Sequence, residues 1–153
     1  MAAYYLDSSA TVKRFAKEKG TNFVLDLMRP SAKNLIYAAR ITEVEVCAAL
    51  SRRRKGKTLT AGYATKAIAR WSRVFDRNIF QVKLTAAIFR EAVRLADVHA
   101  LRGYDSVQLA CALLTNQDRL SGNLPALVFV SADDELNKVA QAESLTIENP
   151  NNY

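Results

Sequence analysis

The stretch Tyr4-Tyr5-Leu6-Asp7-Ser8-Ser9-Ala10 decides the fold class. Its large, mostly apolar start predicts a short buried strand over residues 3–6, and the acid that follows leads into a helix-like pattern over residues 9–18. The same order, an apolar run and then a helix-like pattern, recurs along the chain. A carboxylate at such a junction emerges where the strand ends, beside the helix that follows it.

The remainder of the chain alternates in the same way. Further strands are predicted at residues 34–41, 78–84, 126–131 and 144–148, and further helices at 21–29, 43–55, 61–77, 86–99, 104–115 and 133–143. Strands separated by one or two helices require crossover connections, which place helices on both faces of a mainly parallel sheet. We therefore predict an α/β fold, a single-domain α/β/α sandwich over residues 1–148 with a C-terminal tail at residues 149–153.

Composition is consistent with an ordinary globular domain. Half of the 153 residues are hydrophobic, so a core can form without disulfides. Cys47 and Cys111 lie far apart on apolar helical stretches, and we interpret them as small buried side chains in a reducing compartment. No apolar run approaches the ~20 residues that a membrane-spanning helix needs. We expect a soluble, cytoplasmic protein without a membrane partner.

The charge of the chain favours a polyanionic partner. Lys and Arg number 22 against 15 Asp and Glu, giving a net charge of +7 and a pI near 9.6. Arg52 follows Glu45 by two helical turns, about 10 Å along the axis, so both project from one face. Arg52, Arg53 and Lys13 are therefore candidates for phosphate contacts, and a second basic stripe comprises Lys66, Arg70, Arg73 and Arg77. Favourable helix-terminus charges and an ordinary solvated face remain alternatives.

Four acids lie where an apolar run gives way to a helix-like pattern: Asp7, Glu45, Asp105 and Asp133. The ends of parallel strands, and the helices that follow them, meet at one edge of a sheet. Carboxylates gathered there repel one another unless a cation lies between them. Mg²⁺ prefers oxygen ligands of this kind, so we predict that these acids hold a hard divalent cation such as Mg²⁺. Ser9 places a hydroxyl beside Asp7 and is included in the candidate site.

Helix capping is the competing interpretation of each acid. Thr42-x-x-Glu45 and Asp105-x-x-Gln108 both have the spacing of a capping box. Asp7 could cap the first helix, and the dipole of the last helix could favour an acid at Asp133 near its amino terminus. Capping is the commoner role for any one of these acids, whereas their joint placement favours a metal site.

Other chemistries lack the residues that they need. The single histidine, His99, cannot form a histidine pair or a zinc cluster, and it lies near a predicted helix end where a cation is favourable. No GxSxG elbow, P-loop or GxGxxG turn is present.

The four acidic segments resemble the motifs of PIN-domain nucleases. Tyr4–Ala10 resembles the first motif, and Thr42–Leu50 the second, in which Glu45 is the matching acid and Glu43 a possible substitute. Tyr104–Ala110 resembles the third motif through Asp105. Val130–Leu136 resembles the fourth, with Asp133 as the likelier match. The resemblance covers essentially the whole chain, in the same order and spacing.

Within that family the chain most resembles VapC-type toxins of toxin–antitoxin modules. The resemblance implies a small Mg²⁺- or Mn²⁺-dependent ribonuclease, often a homodimer, that a cognate antitoxin protein holds inactive. It also implies RNA as the polyanion that the basic residues contact. The stretch at residues 116–125 is longer than in many relatives and could reshape the substrate groove. A binding module without chemistry, a phosphotransfer domain and a DNA-directed nuclease of the same fold remain alternatives.

Overall fold

The computed structural model describes all 153 residues and contains five strands and seven α-helices. The strands are β1 (Ala3–Leu6), β2 (Leu35–Ala39), β3 (Phe80–Val82), β4 (Val128–Val130) and β5 (Thr146–Glu148). The helices are α1 (Ser8–Thr11), α2 (Thr21–Met28), α3 (Thr42–Lys55), α4 (Ala61–Asn78), α5 (Ala86–His99), α6 (Gly103–Ser121) and α7 (Asp134–Ala142). Short 3₁₀ turns occur at Val12–Arg14, Pro30–Ala32 and Pro150–Asn152.

All five strands are parallel, in the order β3-β2-β1-β4-β5. The predicted α/β sandwich is therefore confirmed. The chain builds outward from β1 to β3 on one side and then returns to build β4 and β5 on the other. The direction of winding thus reverses between β1 and β4, and a crevice forms outside the carboxyl ends of strands at such a point. The crevice at the carboxyl ends of β1 and β4 is the place where folds of this kind bind ligands.

Each face of the sheet carries its own hydrophobic core. Successive strand residues point to opposite faces, so Tyr5 and Phe129 pack under α5, α6 and α7, whereas Leu6 packs toward α3 and α4. The Tyr5 and Phe129 rings stack with their centroids 5.8 Å apart. On the other face, Trp71 is fully buried and donates a hydrogen bond from its indole nitrogen to the Glu43 carbonyl oxygen (3.1 Å). The first contact joins β1 to β4, and the second joins α4 to the start of α3.

Two predicted helix boundaries need correction. The first helix, predicted over residues 9–18, is only α1, followed by the 3₁₀ turn Val12–Arg14. The chain then turns at Gly20, whose φ of 84° is unfavourable for residues with a Cβ, and a Cβ there would overlap the carbonyl oxygen of Pro150. The helix predicted to end at residue 115 instead continues to Ser121.

The stretch at residues 116–125 lies at the amino-terminal edge of the sheet. The Asn116 side-chain oxygen accepts a hydrogen bond from the Leu127 amide (2.9 Å), just before β4 begins. Arg119 is buried and donates to the Pro125 carbonyl (2.9 Å) and to the Tyr37 hydroxyl (3.1 Å). The acids lie at the opposite, carboxyl edge, so the expectation that this stretch shapes a groove beside them is corrected.

Residues 149–153, predicted as a tail, are packed on the domain. Asn149 is buried and donates to Asp134 (2.7 Å), and the Tyr153 ring stacks on Phe23 with a centroid distance of 4.2 Å. Cys111 is buried as predicted, whereas Cys47 is only half-buried; both are free thiols. None of the helices combines the length and apolar character that crossing a bilayer requires.

Candidate metal and nucleic-acid site

The fold brings the four predicted acids to the carboxyl edge of the sheet. Asp7 follows β1 directly, Glu45 lies in the first turn of α3 after β2, Asp105 lies in the first turn of α6, and Asp133 precedes α7 after β4. Their charges act on one another in that order. Beyond the effect of burial, Glu45 raises the pKa of Asp7, Asp105 raises the pKa of Glu45, and Asp133 raises the pKa of Asp105.

Asp7 is buried, with 3% of its surface exposed, and two serine hydroxyls donate hydrogen bonds to its carboxylate. Its carboxylate accepts hydrogen bonds from Ser9 Oγ (2.8 Å), Ser131 Oγ (2.7 Å) and the Ala10 amide (2.9 Å). Both hydroxyls also accept backbone N–H groups of the β4–α7 loop, so their own protons are directed at Asp7. Burial raises the pKa of Asp7 to about 6, against the opposing effect of these hydrogen bonds.

Glu45 is held at the site by side chains of other elements. Its Oε1 accepts a hydrogen bond from Gln108 Nε2 (2.6 Å), and its Oε2 accepts one from Ser8 Oγ (3.1 Å). Gln108 is buried; its Nε2 also donates to Thr42 Oγ1 (2.9 Å), and its Oε1 accepts from the Tyr5 hydroxyl (2.7 Å). The amide of Gln108 therefore links the core to Glu45 and fixes the orientation of the carboxylate.

Asp105 and Asp133 keep oxygens free. Asp105 is half-buried, and its carboxylate accepts no hydrogen bond; burial and then the charge of Asp133 raise its pKa, while the Arg102 guanidinium opposes the rise. Asp133 Oδ1 caps α7 by accepting from the amides of Glu135 (2.9 Å) and Leu136 (3.1 Å). Its second oxygen makes no hydrogen bond within the chain.

Capping explains only half of the acids. Asp7 and Asp133 do cap the helices that follow them, each through one oxygen. Glu45 and Asp105 cap nothing: α3 and α6 begin without any side-chain cap, so neither predicted capping box forms. Two half-buried carboxylates therefore occupy the sheet edge without a role in the local backbone.

Of the three basic residues predicted to contact phosphate, only one lies beside the acids. Arg52 is exposed and lines a cavity of about 650 Å³. The side chains of Ser8, Ser9, Glu45 and Tyr104 also line this cavity. Arg53 instead pairs with Glu18 (3.3 Å). Lys13 is buried; it donates to the Lys19 carbonyl (2.8 Å) and lies 3.6 Å from Glu18. The structure brings Arg52 to the acids but not Arg53 or Lys13.

The donor set fits a hard divalent cation. No three His, Cys, Asp or Glu side chains converge closely enough to form a closed metal-ligand group. Mg²⁺ does not need one, because it usually takes one or two carboxylates and keeps several waters. Both Asp105 oxygens and the second Asp133 oxygen are free to serve. A cation would offset the charge of Asp133, which, after burial, raises the pKa of Asp105. The edge offers no thiolate or imidazole cluster of the kind that zinc prefers.

Comparison with known proteins identifies the family. The sequence profile of the PIN domain matches residues 4–142. The chain belongs to the PIN-domain family. Two relatives from Mycobacterium tuberculosis, Ribonuclease VapC45 (strain CDC 1551 / Oshkosh) and Ribonuclease VapC49 (strain ATCC 25618 / H37Rv), are each 32% identical over 142 residues, which are 93% of this chain and 92% of the relative.

Solved structures of low sequence identity share the PIN-domain fold. VapBC2 from Rickettsia felis, bound to a DNA fragment from its promoter, superposes with a TM-score of 0.61 at 15% identity, over 96% of this chain and 98% of that chain. PAE2754 from Pyrobaculum aerophilum superposes with a TM-score of 0.64 at 18% identity, over 95% and 83%. The predicted membership of the PIN-domain family is confirmed.

Sequence reasoning missed three residues of the site. Ser131 and Ser8 donate to Asp7 and Glu45, and Gln108 orients Glu45. All three lie within the segments that resemble PIN-domain motifs. A buried polar residue within an otherwise apolar stretch was the available signal for Gln108, since such a residue needs hydrogen-bond partners.

Proposed function

We propose that this PIN-domain protein is a divalent-metal-dependent endoribonuclease and the toxin of a toxin–antitoxin pair. The observation that carries the proposal is the placement of Glu45 and Asp105 at the sheet edge without capping roles, next to Asp7 and Asp133. The names of the two mycobacterial relatives support hydrolysis of RNA as the reaction.

Each acid has a distinct part in this proposal. Asp105 and Asp133 offer free oxygens to Mg²⁺ or Mn²⁺, and Glu45 joins them from the neighbouring helix. Asp7 completes the site from the crevice, where Ser9 and Ser131 hold its carboxylate in place. The bound ion would lower the pKa of water and neutralise the charge of the phosphodiester.

The protein's own side chains position the RNA. Arg52 lies in the same cavity as Glu45, where it can contact a backbone phosphate next to the acids. A contact of this kind fixes the position of a substrate without reading its sequence. The exposed basic stripe of α4 (Lys66, Arg70, Arg73 and Arg77) extends the positive surface.

A cognate antitoxin and self-association form the partner part of the proposal. The related Rickettsia felis structure is of a VapBC complex, which supports an antitoxin partner. An apolar cavity of about 420 Å³ between α3 and α4, lined by Val44, Cys47, Ala48, Ile68 and Trp71 among others, offers a surface for an antitoxin segment. Light scattering of the purified chain tests the homodimer, and copurification with the product of an adjacent reading frame tests the antitoxin.

Cleavage of labelled, structured RNA tests the proposed reaction. We expect cleavage with Mg²⁺ or Mn²⁺ and none with EDTA. Asp105→Asn should abolish cleavage, whereas Asp97→Asn, a matched change at an exposed acid of α5, should not. Single-stranded and flap DNA in parallel reactions distinguish a DNA-directed nuclease. Full activity in EDTA or in Asp105→Asn, or RNA binding without any cleavage, would contradict the proposal.

A further inference from the structure

A second cavity, of about 610 Å³, adjoins the acids, and Arg52 is not part of its wall. Glu45 and Asp105 form part of its wall, so it opens directly onto the proposed reaction centre. The rest of the wall is mainly apolar and comprises Ile41, Leu84, Phe89, Tyr104 and Val107, with Arg102 as its one cation. Its size falls within the range of about 300–1,000 Å³ of ligand pockets in proteins. Neither metal binding nor the contact of Arg52 with phosphate requires this apolar wall.

Two aromatic rings in this wall are exposed. Tyr104 is 65% exposed and Phe89 is 49% exposed, although both belong to otherwise well-packed helices. The Tyr104 hydroxyl makes no hydrogen bond within the chain, in contrast to those of Tyr5 and Tyr63. Tyr104 also lines the cavity that contains Arg52, so its ring stands between the two cavities. Exposed aromatic faces beside a charged site are the surfaces on which unpaired bases stack.

We propose that this cavity binds an unpaired nucleobase of the RNA substrate, from a nucleotide that flanks the scissile phosphate, with the base stacked on Tyr104. The inference rests on the proposed function and adds a subsite to it: a pocket for one unstacked base beside the acids, with the ring of Tyr104 as its stacking surface. A base held in a duplex is already stacked on its neighbours and cannot enter such a cavity without being displaced.

The surrounding charges suit a nucleotide better than a purely apolar ligand. Arg102 lies at the start of α6, exposed and close enough to Asp105 to oppose the rise of its pKa. A guanidinium in that position can contact the phosphate or the base edge of a bound nucleotide. Glu45 and Asp105 on the adjoining wall would help to hold the cation that neutralises the charge of the scissile phosphate. The base is thus placed in the cavity by the same backbone that delivers its phosphate to the acids.

Binding measured without cleavage tests this inference. Fluorescence anisotropy in EDTA would compare three probes: a random-sequence single-stranded RNA 12-mer, the same strand in a duplex, and a strand of abasic ribose phosphates. We expect tighter binding of the single strand than of the other two. Tyr104→Ala should weaken binding of the single strand at least about fivefold, the effect of losing one base–aromatic stack, and leave the other two unchanged. Tyr104→Phe should bind as the wild type does.

Phe80→Ala is the matched control. Phe80 is another exposed aromatic residue, 53% exposed, but it lies at the start of β3, on the opposite edge of the sheet. Phe80→Ala should bind all three probes as the wild type does. Because Tyr104 is mostly exposed, its replacement should leave the unfolding transition in place, which thermal denaturation checks.

Three results would overturn the inference. One is equal affinity of the wild type for single strand and duplex, and another is an unchanged affinity of Tyr104→Ala for the single strand. The third is a change of Tyr104→Ala from dimer to monomer in light scattering with the same loss for all probes, which would show that a second copy covers this face. If the wild type binds as expected but never cleaves RNA with Mg²⁺ or Mn²⁺, the proposed reaction fails while the base-binding cavity stands.

Discussion

Replacing Asp7 by Asn should stabilise the metal-free protein while abolishing its proposed activity. Asp7 is buried, and its pKa is raised to about 6 from its ordinary value of 3.8. The folded state therefore favours the protonated, neutral carboxyl, and ionisation at neutral pH opposes folding. A neutral amide of the same shape removes that penalty and retains the ability of Oδ1 to accept from the Ala10 amide.

The size of the effect follows from the difference between the two pKa values. A difference of about two pH units corresponds to about 3 kcal/mol at a pH above both values. Asn also has an N–H donor where the carboxylate accepted from Ser131, which costs about 1 kcal/mol for one disrupted hydrogen bond. The net gain should be about 2 kcal/mol at pH 7.5, or about 4–8 °C in melting temperature for a domain of this size.

The pH dependence distinguishes this cause from a change in packing. The pKa of Asp7 is higher in the folded state than in the unfolded state. Asp7 therefore makes its full contribution to the free energy of unfolding of the wild type below about pH 4, and this contribution is lost as the pH rises to about 6. The stability difference between variant and wild type should therefore be near zero or slightly negative at pH 4 and positive at pH 7.5. Urea denaturation in EDTA at a series of pH values measures it, with Asp97→Asn as the exposed control.

A divalent ion should reverse the order of stability. Mg²⁺ binds only the folded site, so it should raise the melting temperature of the wild type and not that of Asp7→Asn. If Asp7→Asn is less stable than the wild type by the same amount at every pH, Asp7 serves only as the cap of α1 and the electrostatic reasoning is refuted.

Three further substitutions test other parts of the account. Glu45→Gln should lower kcat/KM for RNA at least about a hundredfold, because it removes a charge aimed at the reaction centre, while unfolding in urea changes little. Gln108→Leu should lower the free energy of unfolding by about 1–3 kcal/mol in urea titrations, because the buried Tyr5 hydroxyl loses its acceptor. Gly20→Ala should destabilise the fold by more than about 1 kcal/mol in the same assay, since its Cβ would strike Pro150 and its φ is positive. A stable Gly20→Ala protein would show that the C-terminal turn is free to shift.

The local pattern of apolar and polar residues was sufficient to predict most of the strands and helices. The apolar runs at Tyr4–Leu6 and Val128–Val130 are short, β-rich and followed by acids, so both strands could be predicted. The alternation with helices predicted a parallel sheet, but not that these two strands are neighbours. The length of the first helix could not be predicted, because a distant residue contacts the chain just after this helical segment: the Tyr63 hydroxyl donates to the Phe15 carbonyl (2.6 Å). The polar end of α6 shows no apolar periodicity, since Arg119 is buried through hydrogen bonds instead.

The candidate site was predictable in its acids but not in the contacts that orient them. The position of each acid, directly after a strand or in the first turn of a helix, follows from the order of the elements. Which hydroxyl or amide reaches each carboxylate depends on residues distant in sequence, such as the pairs Asp7–Ser131 and Glu45–Gln108. Glu18 lies near both Lys13 and Arg53, five residues from the first in sequence and 35 from the second. The number and order of charged residues in the sequence could not show that Arg52 lies beside the acids whereas Lys13 and Arg53 do not.

Electron paramagnetic resonance of Mn²⁺ tests the central claim most directly, because it counts free and bound ion without depending on activity. The wild type should bind at least one Mn²⁺, and both Asp105→Asn and Glu45→Gln should weaken that binding by tenfold or more, while Asp97→Asn binds as the wild type does. Equal Mn²⁺ binding by all four proteins would contradict a metal site at the carboxyl edge of this sheet.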